Sequence, residues 1–234
     1  MSFVFPPGDT PRAAIHGSEQ WFPVHRIYCV GQNYASHARE MGDDPDREPP
    51  FFFSKPADAV VLAPAAGARP GRVPYPTCTK NLHHEIELVA ALGQGGRDIR
   101  PEDAWSHVFG LAVGLDLTRR DLQQAAKDQG RPWDTAKGFD QSAPISPIRL
   151  IRETGCVSSG AIWLDVNGER RQTGDIADMI WNIAELLAGL STLYQLLPGD
   201  LVFTGTPAGV GAVQRGDLLE GGVDGVATLA IRVE

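Results

Sequence analysis

The stretch NLHHEIELVAAL, residues 81–92, decides how this chain folds. From residue 84 onward, apolar residues recur at every second position, which is the period of a β-strand with one buried face. The apolar face carries Ile86, Leu88, Ala90 and Leu92. The opposite face carries Glu85, Glu87 and Val89. The segment GQGG at residues 93–96 then predicts a turn.

A second strand is predicted over the most apolar run of the chain, VFGLAVGL at residues 108–115. This run ends on Asp116. A carboxylate at the end of a buried strand needs a partner, because burying an unpaired charge is costly.

The acidic residues of these two strands form a candidate metal site. Glu85 and Glu87 point to one side of a strand, whereas on a helix they would lie about 200° apart. Together with Asp116 they offer the all-oxygen ligand set that suits Mg²⁺, Mn²⁺ or Ca²⁺. A solvated strand face with Asp116 as a helix cap explains the same pattern, and the pattern alone leaves both interpretations open.

The composition narrows the fold and the partners. The 234 residues include 21 Lys and Arg against 29 Asp and Glu, a net charge of −8, with no basic run. Binding to nucleic acid is therefore not expected, since a phosphate backbone is bound by clustered basic residues. The 26 glycines and 18 prolines favour short elements and tight turns over a bundle of long helices.

The remaining patterns predict an α+β, β-rich chain in which strands outnumber helices. Asn167-Gly168 predicts a hairpin turn, and residues 200–204 and 226–233 predict two further strands. Helices are predicted over 119–129 and 178–190, the first with Thr118 and Asp121 as a capping box. We expect an N-terminal arm or cap over residues 1–24 and a single mixed domain over residues 25–234.

The N-terminus and the cysteines point to the cytoplasm. The N-terminus MSFVFPPGDTPR lacks a basic start, so no signal peptide is expected, and no apolar run is long enough to span a membrane. Cys29, Cys78 and Cys156 are sparse and odd in number, which fits a reducing compartment. Cys78 lies close to His83 and His84, but the spacing matches no common zinc pattern.

A short helix is also predicted over residues 33–41, ended by Gly42. It places His37 and Glu40 three residues apart on one face. A carboxylate that orients an imidazole can help it to deprotonate water. An exposed ion pair is the commoner reason for such spacing, so the pair alone does not indicate catalysis.

Three further features have ordinary explanations when each is taken alone. Arg120, Gln123 and Lys127 form a polar stripe on the predicted helix, and Lys137 follows in a predicted loop. Such stripes are usually solvated. The loop GTPAGVG at residues 205–211 lacks the spacing of a phosphate-binding motif, so a tight turn is the better prediction.

In combination, these segments resemble the fumarylacetoacetate hydrolase family. The resemblance spans residues 25–234, and its segments follow the order of the family. They are VGQNYASHAREMG, FFFSKP, NLHHEIEL, GLDLTRRDLQ, RPWDTAKGFD and LLPGDLVFTGTPAGVG. The resemblance implies a mixed β-sandwich roll with short peripheral helices, one Mg²⁺ or Mn²⁺ per subunit, and a homodimer.

The same resemblance implies a role for each candidate residue. The implied metal ligands are Glu85, Glu87 and Asp116. The implied catalytic residues are His37 and Glu40, which activate water from a lid helix, and Lys137, which supports the metal-bound substrate. The implied substrate-binding residues are Arg120, Gln123, Thr206 and, more weakly, Lys55, which also fits a structural role. One departure is Gln32, which stands where the family more often has arginine.

Within the family, RPWDTAKGFDQSAP and REPPFFFSKPADAVV are most similar to the bacterial acylpyruvate hydrolases of gentisate breakdown. The resemblance therefore implies cleavage of fumarylpyruvate or maleylpyruvate, both small dicarboxylic oxo acids, to pyruvate and fumarate or maleate. The alternatives are an oxaloacetate decarboxylase, an isomerase of an unsaturated oxo acid, and a non-catalytic metal-dependent carboxylate-binding module. The His37–Glu40 pair favours hydrolysis, because a decarboxylase needs no activated water.

Overall fold

The computed structural model describes residues 3–36 and 48–234, and its largest sheet has eight strands. Seven of them form a continuous path, in which parallel and antiparallel neighbours are mixed. In spatial order they are β4 (Phe52–Lys55), β3 (Ile27–Val30), β15 (Leu201–Phe203), β8 (Ile86–Leu92), β9 (Val108–Leu115), β11 (Ala143–Ile145) and β5 (Val60–Leu62). The eighth strand, β12 (Arg149–Leu150), pairs with β9.

A second sheet of five strands packs against the first. In spatial order its strands are β14 (Glu169–Asp175), β13 (Ala161–Val166), β17 (Leu218–Val223), β18 (Ala227–Val233) and β6 (Gly71–Val73). Ile86 and Leu88 of β8 lie in the same buried cluster as Leu164 and Ile231 of this sheet. The alternation in residues 81–92 therefore positions the main core, and the predicted β-rich sandwich is confirmed.

The other face of β8 is covered by the N-terminal residues. A hairpin of β1 (Arg12–Ala14) and β2 (Trp21–Pro23) contributes Ala13 and Phe22 to a second buried cluster, which also holds Val89 and Ala91. Both faces of the large sheet are thus buried around this strand. The division of the chain into an arm over residues 1–24 and a domain over residues 25–234 stays a prediction.

The last sheet and the helices lie around the sandwich. The sheet consists of β10 (Thr118–Arg119), β7 (Leu82–His84) and β16 (Gly211–Val213). Four α-helices lie wholly within the described ranges: α1 (Arg120–Asp128), α2 (Asp134–Lys137), α3 (Ile151–Thr154) and α4 (Ile183–Leu193). Short 3-10 helices span Ala57–Ala59, Pro101–His107 and Ile176–Asp178. Within the described ranges, no helix is long and apolar enough to cross a membrane.

Two predictions about helices need correction. Helix α1 has no side-chain cap, because Thr118 donates instead to the Asp116 carbonyl over 3.2 Å and Asp121 accepts from the Thr79 hydroxyl over 2.6 Å. The helix predicted over 178–190 begins only after Asn182, whose side chain forms a capping box with Glu185.

The predicted hairpin turn is confirmed, with Asn167 and Gly168 at φ 53° and 81° between β13 and β14. The three cysteines lie in the described part of the chain. All three are free, Cys78 is exposed, and the one acidic, histidine or cysteine cluster with metal-binding geometry contains no cysteine.

Candidate active site

Three buried carboxylates converge at one end of the β8–β9 pair. The two strands are antiparallel with Glu87 opposite Gly114, so the start of β8 lies beside the end of β9. The Asp116 amide donates to the Glu85 carbonyl over 2.9 Å and fixes the two backbones just beyond the ladder. One carboxylate oxygen from each of Glu85, Glu87 and Asp116 lies within 4.8 Å of the others. The sequence predicted this cluster from the alternation along β8 and from the acidic residue that follows β9.

Glu85 itself is not part of a strand, which corrects the continuous strand predicted from residue 84. It lies between β7 and β8, where the chain leaves the small sheet and enters the large one. Its carboxylate nevertheless belongs to the cluster.

Glu87 is the carboxylate of the cluster that most lacks a positive partner. Its side chain is 1% exposed, and burial, followed by the charges of Asp116 and Glu85, raises its pKa well above the ordinary value. The Gly205 amide donates to its Oε2 over 2.7 Å. No Lys, Arg or His of the described residues forms an ion pair with Glu87. A cation placed between the three carboxylates would compensate this charge.

The other two carboxylates are paired with buried cations that the sequence reasoning had not connected to them. Lys137 Nζ lies 2.8 Å from Glu85 Oε2 and 2.6 Å from Asp116 Oδ2. Burial disfavours its ammonium, but the charges of Asp116 and Glu85 outweigh this effect and raise the Lys137 pKa. Lys137 ends the short helix α2 rather than lying in a loop, as predicted, and this helix aims the ammonium at the cluster.

Lys55 lies beneath the cluster. Its Nζ is 2.8 Å from Asp116 Oδ1 and 3.1 Å from the Leu117 carbonyl, and it also donates to the Lys137 carbonyl. Its side chain is fully buried and does not line the pocket described below. These contacts hold Asp116 and the end of α2 in place.

A small pocket opens above the carboxylates. Its lining includes most of the predicted site residues, namely Glu85, Glu87, Arg120, Gln123, Lys137 and Thr206. Its rim is completed by Val30, Gly31, Gln32, Phe53, Lys127, Trp133 and Gly205. The predicted polar stripe of α1 therefore faces this pocket, and its first two members are buried rather than solvated.

Arg120 links the helix to the cluster. Its guanidinium donates to Glu85 Oε1 and to Gln123 Oε1, and its Nε is 3.4 Å from His83 Nδ1. Burial, followed by the charge of Arg120, lowers the pKa of His83 to about 4, so this imidazole is neutral at neutral pH. Arg120 is thus the positively charged wall of the pocket, with Gln123 beside it.

The sequence reasoning missed Gln172, which supports the pocket from below. It belongs to β14, is 1% exposed, and its side-chain amide donates to the Thr206 hydroxyl over 2.8 Å. Its neighbours on the strand are exposed, so the hairpin pattern gave no signal for a buried amide.

Two of the predicted catalytic residues, His37 and Glu40, lie outside the described residues. The chain just before them is fixed by Asn33, whose side chain donates to the Thr204 carbonyl over 2.7 Å and accepts from the Trp181 amide over 2.8 Å. These bonds place the segment that leads to His37 beside the loop that carries Thr206. Gln32, at the position of the usual arginine, lines the pocket with φ 56°.

The donor set fits a hard divalent cation. The cluster offers carboxylate oxygens, which Mg²⁺ and Mn²⁺ prefer. One oxygen of each carboxylate lies within 4.8 Å of the others, so one ion could contact all three residues. A cation held there would also offset the unfavourable burial of an ionised Glu87.

The β-rich fold and the cluster of Glu85, Glu87 and Asp116, called the cage below, are the features of a class of metal-binding enzymes. The chain belongs to the fumarylacetoacetate hydrolase family. The family model "Fumarylacetoacetate (FAA) hydrolase C-terminal" matches residues 26–234.

Particular relatives narrow this assignment. The chain is 43% identical over 195 residues to the fumarylpyruvate hydrolase of Ralstonia sp, covering 82% of this chain and 98% of that protein. It is 40% identical over 217 residues to the mitochondrial oxaloacetate tautomerase of Rattus norvegicus, covering 93% and 95% of the two chains. A crystal structure of fumarylpyruvate hydrolase from Pseudomonas aeruginosa with Mn²⁺ and pyruvate superposes with a TM-score of 0.96 at 55% identity, covering 99% of both chains.

Proposed function

We propose that this protein is a divalent-metal-dependent hydrolase that cleaves the carbon–carbon bond of a 2,4-dioxo acid, with fumarylpyruvate as its substrate. The observation that carries the proposal is the buried cage of Glu85, Glu87 and Asp116, which lies under a pocket walled by Arg120 and Lys137. The likeness to fumarylpyruvate hydrolases, one of them bound to Mn²⁺ and pyruvate, supports the choice of metal and substrate class.

The three carboxylates are the proposed metal ligands. A bound Mn²⁺ or Mg²⁺ supplies Lewis-acid stabilisation of negative charge on the oxygens of the substrate. Arg120 and Gln123 bind further substrate oxygens from the helix side of the pocket, and Thr206 binds a carboxylate from the opposite loop. This arrangement allows a protein of net charge −8 to bind an acidic substrate, because cations separate the two.

The proposed bond cleavage is hydrolytic. Glu40 orients His37, and His37 removes a proton from a water molecule as its oxygen attacks C4 of the substrate. The C3–C4 bond breaks, its electron pair stays with C3, and the proton held by His37 passes to C3 to complete the methyl group of pyruvate. The acid formed at C4 releases its proton to solvent. C4 becomes the new carboxylate of fumarate. Lys137 stabilises negative charge that develops on oxygen during this step.

We assign Lys55 a positioning role rather than contact with the substrate, because its ammonium is used by Asp116 and two backbone carbonyls. Lys55→Met should weaken Mn²⁺ binding at least 10-fold, in line with the loss of a partner that orients a ligand, about 10- to 100-fold. The KM for the substrate, measured at saturating Mn²⁺, should stay unchanged. The exposed Lys80→Met is the matched control. A raised KM with unchanged metal affinity would restore the substrate-binding assignment.

Comparison of substrates tests the proposed function. Purified protein with Mn²⁺ is assayed against fumarylpyruvate, maleylpyruvate and oxaloacetate, following loss of the dioxo-acid absorbance and formation of pyruvate. We expect kcat/KM for fumarylpyruvate to exceed that for oxaloacetate by at least about 100-fold, which corresponds to roughly 2.7 kcal/mol of transition-state stabilisation. Preferred enol–keto conversion or decarboxylation of oxaloacetate would instead assign the chain to the activity of its tautomerase or decarboxylase relatives.

The location and the assembly are also proposals. We infer a cytoplasmic homodimer from the family resemblance and from the sparse, free cysteines.

A further inference from the structure

Gln172 connects the strand junction of the metal cage to the loop of the substrate pocket. Its Oε1 accepts from the Ile86 amide over 3.2 Å and from His84 Nδ1 over 2.8 Å. Its Nε2 donates to the Thr206 hydroxyl and to the Pro207 carbonyl, both over 2.8 Å. All donor and acceptor positions of this buried amide are therefore used.

The orientation of the amide follows from its backbone partners. The Ile86 N–H can only donate, so it must face the amide oxygen. The Pro207 carbonyl can only accept, so it must face the amide nitrogen. A flipped amide would place two acceptors together at Pro207 and two donors together at Ile86. The second N–H of Gln172 is therefore directed at Thr206 Oγ1.

This orientation determines what Thr206 can do. The Thr206 oxygen accepts a hydrogen bond from Gln172, so the hydroxyl hydrogen is not used between these two side chains. Thr206 is 2% exposed and lines the pocket beside Gly205, whose amide is bound to Glu87. Its hydroxyl hydrogen is therefore available to an acceptor in the pocket.

We propose that Gln172 is a positioning residue that directs the Thr206 hydroxyl hydrogen into the pocket and so favours a substrate with a hydrogen-bond-accepting oxygen at that point. The inference rests on the proposed function, in which Thr206 binds a substrate carboxylate. A carboxylate accepts hydrogen bonds only, whereas an amide or hydroxyl group would also present hydrogens to the site. The buried amide of β14 thereby contributes to the preference for a carboxylate without touching the substrate.

The test is a double-mutant cycle on pyruvate binding, which requires no turnover. The Kd of pyruvate for the Mn²⁺-loaded protein is measured by calorimetry for the wild type, Gln172→Glu, Thr206→Val and the double variant. Gln172→Glu keeps the shape but accepts a hydrogen bond from Thr206, so the donor to pyruvate is lost. We expect each single variant to bind pyruvate about 10- to 100-fold more weakly, the range for a hydrogen bond to a charged group.

The double variant identifies the route of the effect. If Gln172 acts through Thr206, the double variant should bind pyruvate no more weakly than Thr206→Val alone, and Thr206→Ser should bind like the wild type. The Kd for Mn²⁺ should be unchanged throughout, and the exposed Gln20→Glu serves as the matched control. Additive losses, or a Gln172 variant that binds pyruvate normally, would overturn the proposal.

A second variant covers the case in which Gln172→Glu does not fold, and an activity assay separates this proposal from the proposed function. Gln172→Met replaces Gln172→Glu in the cycle if the charged variant does not fold, as judged by circular dichroism and thermal melting. With it we expect a smaller loss, about 2- to 10-fold, because Thr206 keeps its hydrogen but loses the bond that orients it. Intact coupling in a protein that does not hydrolyse acylpyruvates would reject the proposed function and retain the role of Gln172.

Discussion

Glu87→Gln should remove metal binding and activity while leaving the fold intact. The amide keeps an oxygen for the Gly205 N–H but takes a negative charge out of the cage. We expect the Kd for Mn²⁺ to rise at least 100-fold, about 2.7 kcal/mol, and kcat/KM at fixed Mn²⁺ to fall by at least the same factor. Isothermal titration with Mn²⁺ and steady-state assays measure these two effects.

Although Glu87→Gln should weaken metal binding, it should not lower the stability of the metal-free protein. Burial raises the pKa of Glu87 in the folded chain, so the folded state loses stability as the pH rises from the ordinary carboxyl pKa towards the raised one. At neutral pH, the metal-free Glu87→Gln protein should therefore melt at or above the temperature of the metal-free wild type. Mn²⁺ should stabilise the wild type, by about 2.7 kcal/mol at 100 times its Kd, but not the variant.

A control variant distinguishes the loss of a carboxylate in the cage from the loss of one negative charge elsewhere on the protein. Glu102→Gln removes an exposed carboxylate from the 3-10 helix Pro101–His107 and should leave Mn²⁺ binding unchanged. Normal Mn²⁺ affinity in Glu87→Gln would show that the three carboxylates are not the metal site.

His37→Ala should separate metal binding from hydrolysis. Removal of a general base lowers rates by about 10²- to 10⁴-fold, and we expect kcat for the dioxo acid to fall within this range. Mn²⁺ binding should be unchanged, because the three carboxylate ligands remain. The readouts are kcat with Mn²⁺ saturating and the Kd for Mn²⁺ by titration.

Two variants calibrate this result. Glu40→Gln should lower kcat by a smaller factor, since it removes the partner that orients the imidazole and leaves the base itself. His16→Ala removes an exposed histidine, 4.0 Å from Glu153 and outside the pocket lining, and should have no effect. Full turnover by His37→Ala with metal bound would reject the water-activating pair.

The cluster of three carboxylates was the part of the candidate site most accessible from sequence. Alternation through Glu87 fixes which way its carboxylate points, and the antiparallel pairing of two apolar strands brings Asp116 beside it. Both strands are in fact buried on both faces, so the acidic residues stand out within runs that are otherwise apolar.

The buried lysines that pair with Glu85 and Asp116 could not be predicted from local sequence pattern. Lys137 reaches the cluster from a four-residue helix and Lys55 from the edge strand β4, and nothing in their own segments indicates a buried partner. Gln172 was still harder to predict, because the other residues of its strand β14 are exposed or half-buried. Such long-range contacts depend on how the two sheets pack, which local pattern does not encode.

Local pattern also failed where a tertiary contact competed with it. The capping box expected at Thr118 and Asp121 does not form, because Thr118 faces the buried cage and Asp121 binds the loop before β7. The capping box at Asn182 and Glu185 does form: the Asn182 side chain accepts from the Glu185 amide, and the Glu185 carboxylate accepts from the Asn182 amide.

The most direct measurement of the central claim is the product balance of the wild-type protein with fumarylpyruvate and Mn²⁺, followed by proton NMR. The account predicts one pyruvate and one fumarate for each substrate molecule consumed, with the reaction stopped by a chelator and restored by added Mn²⁺. Unchanged fumarylpyruvate in the presence of bound Mn²⁺, or its consumption without the release of pyruvate, would contradict it.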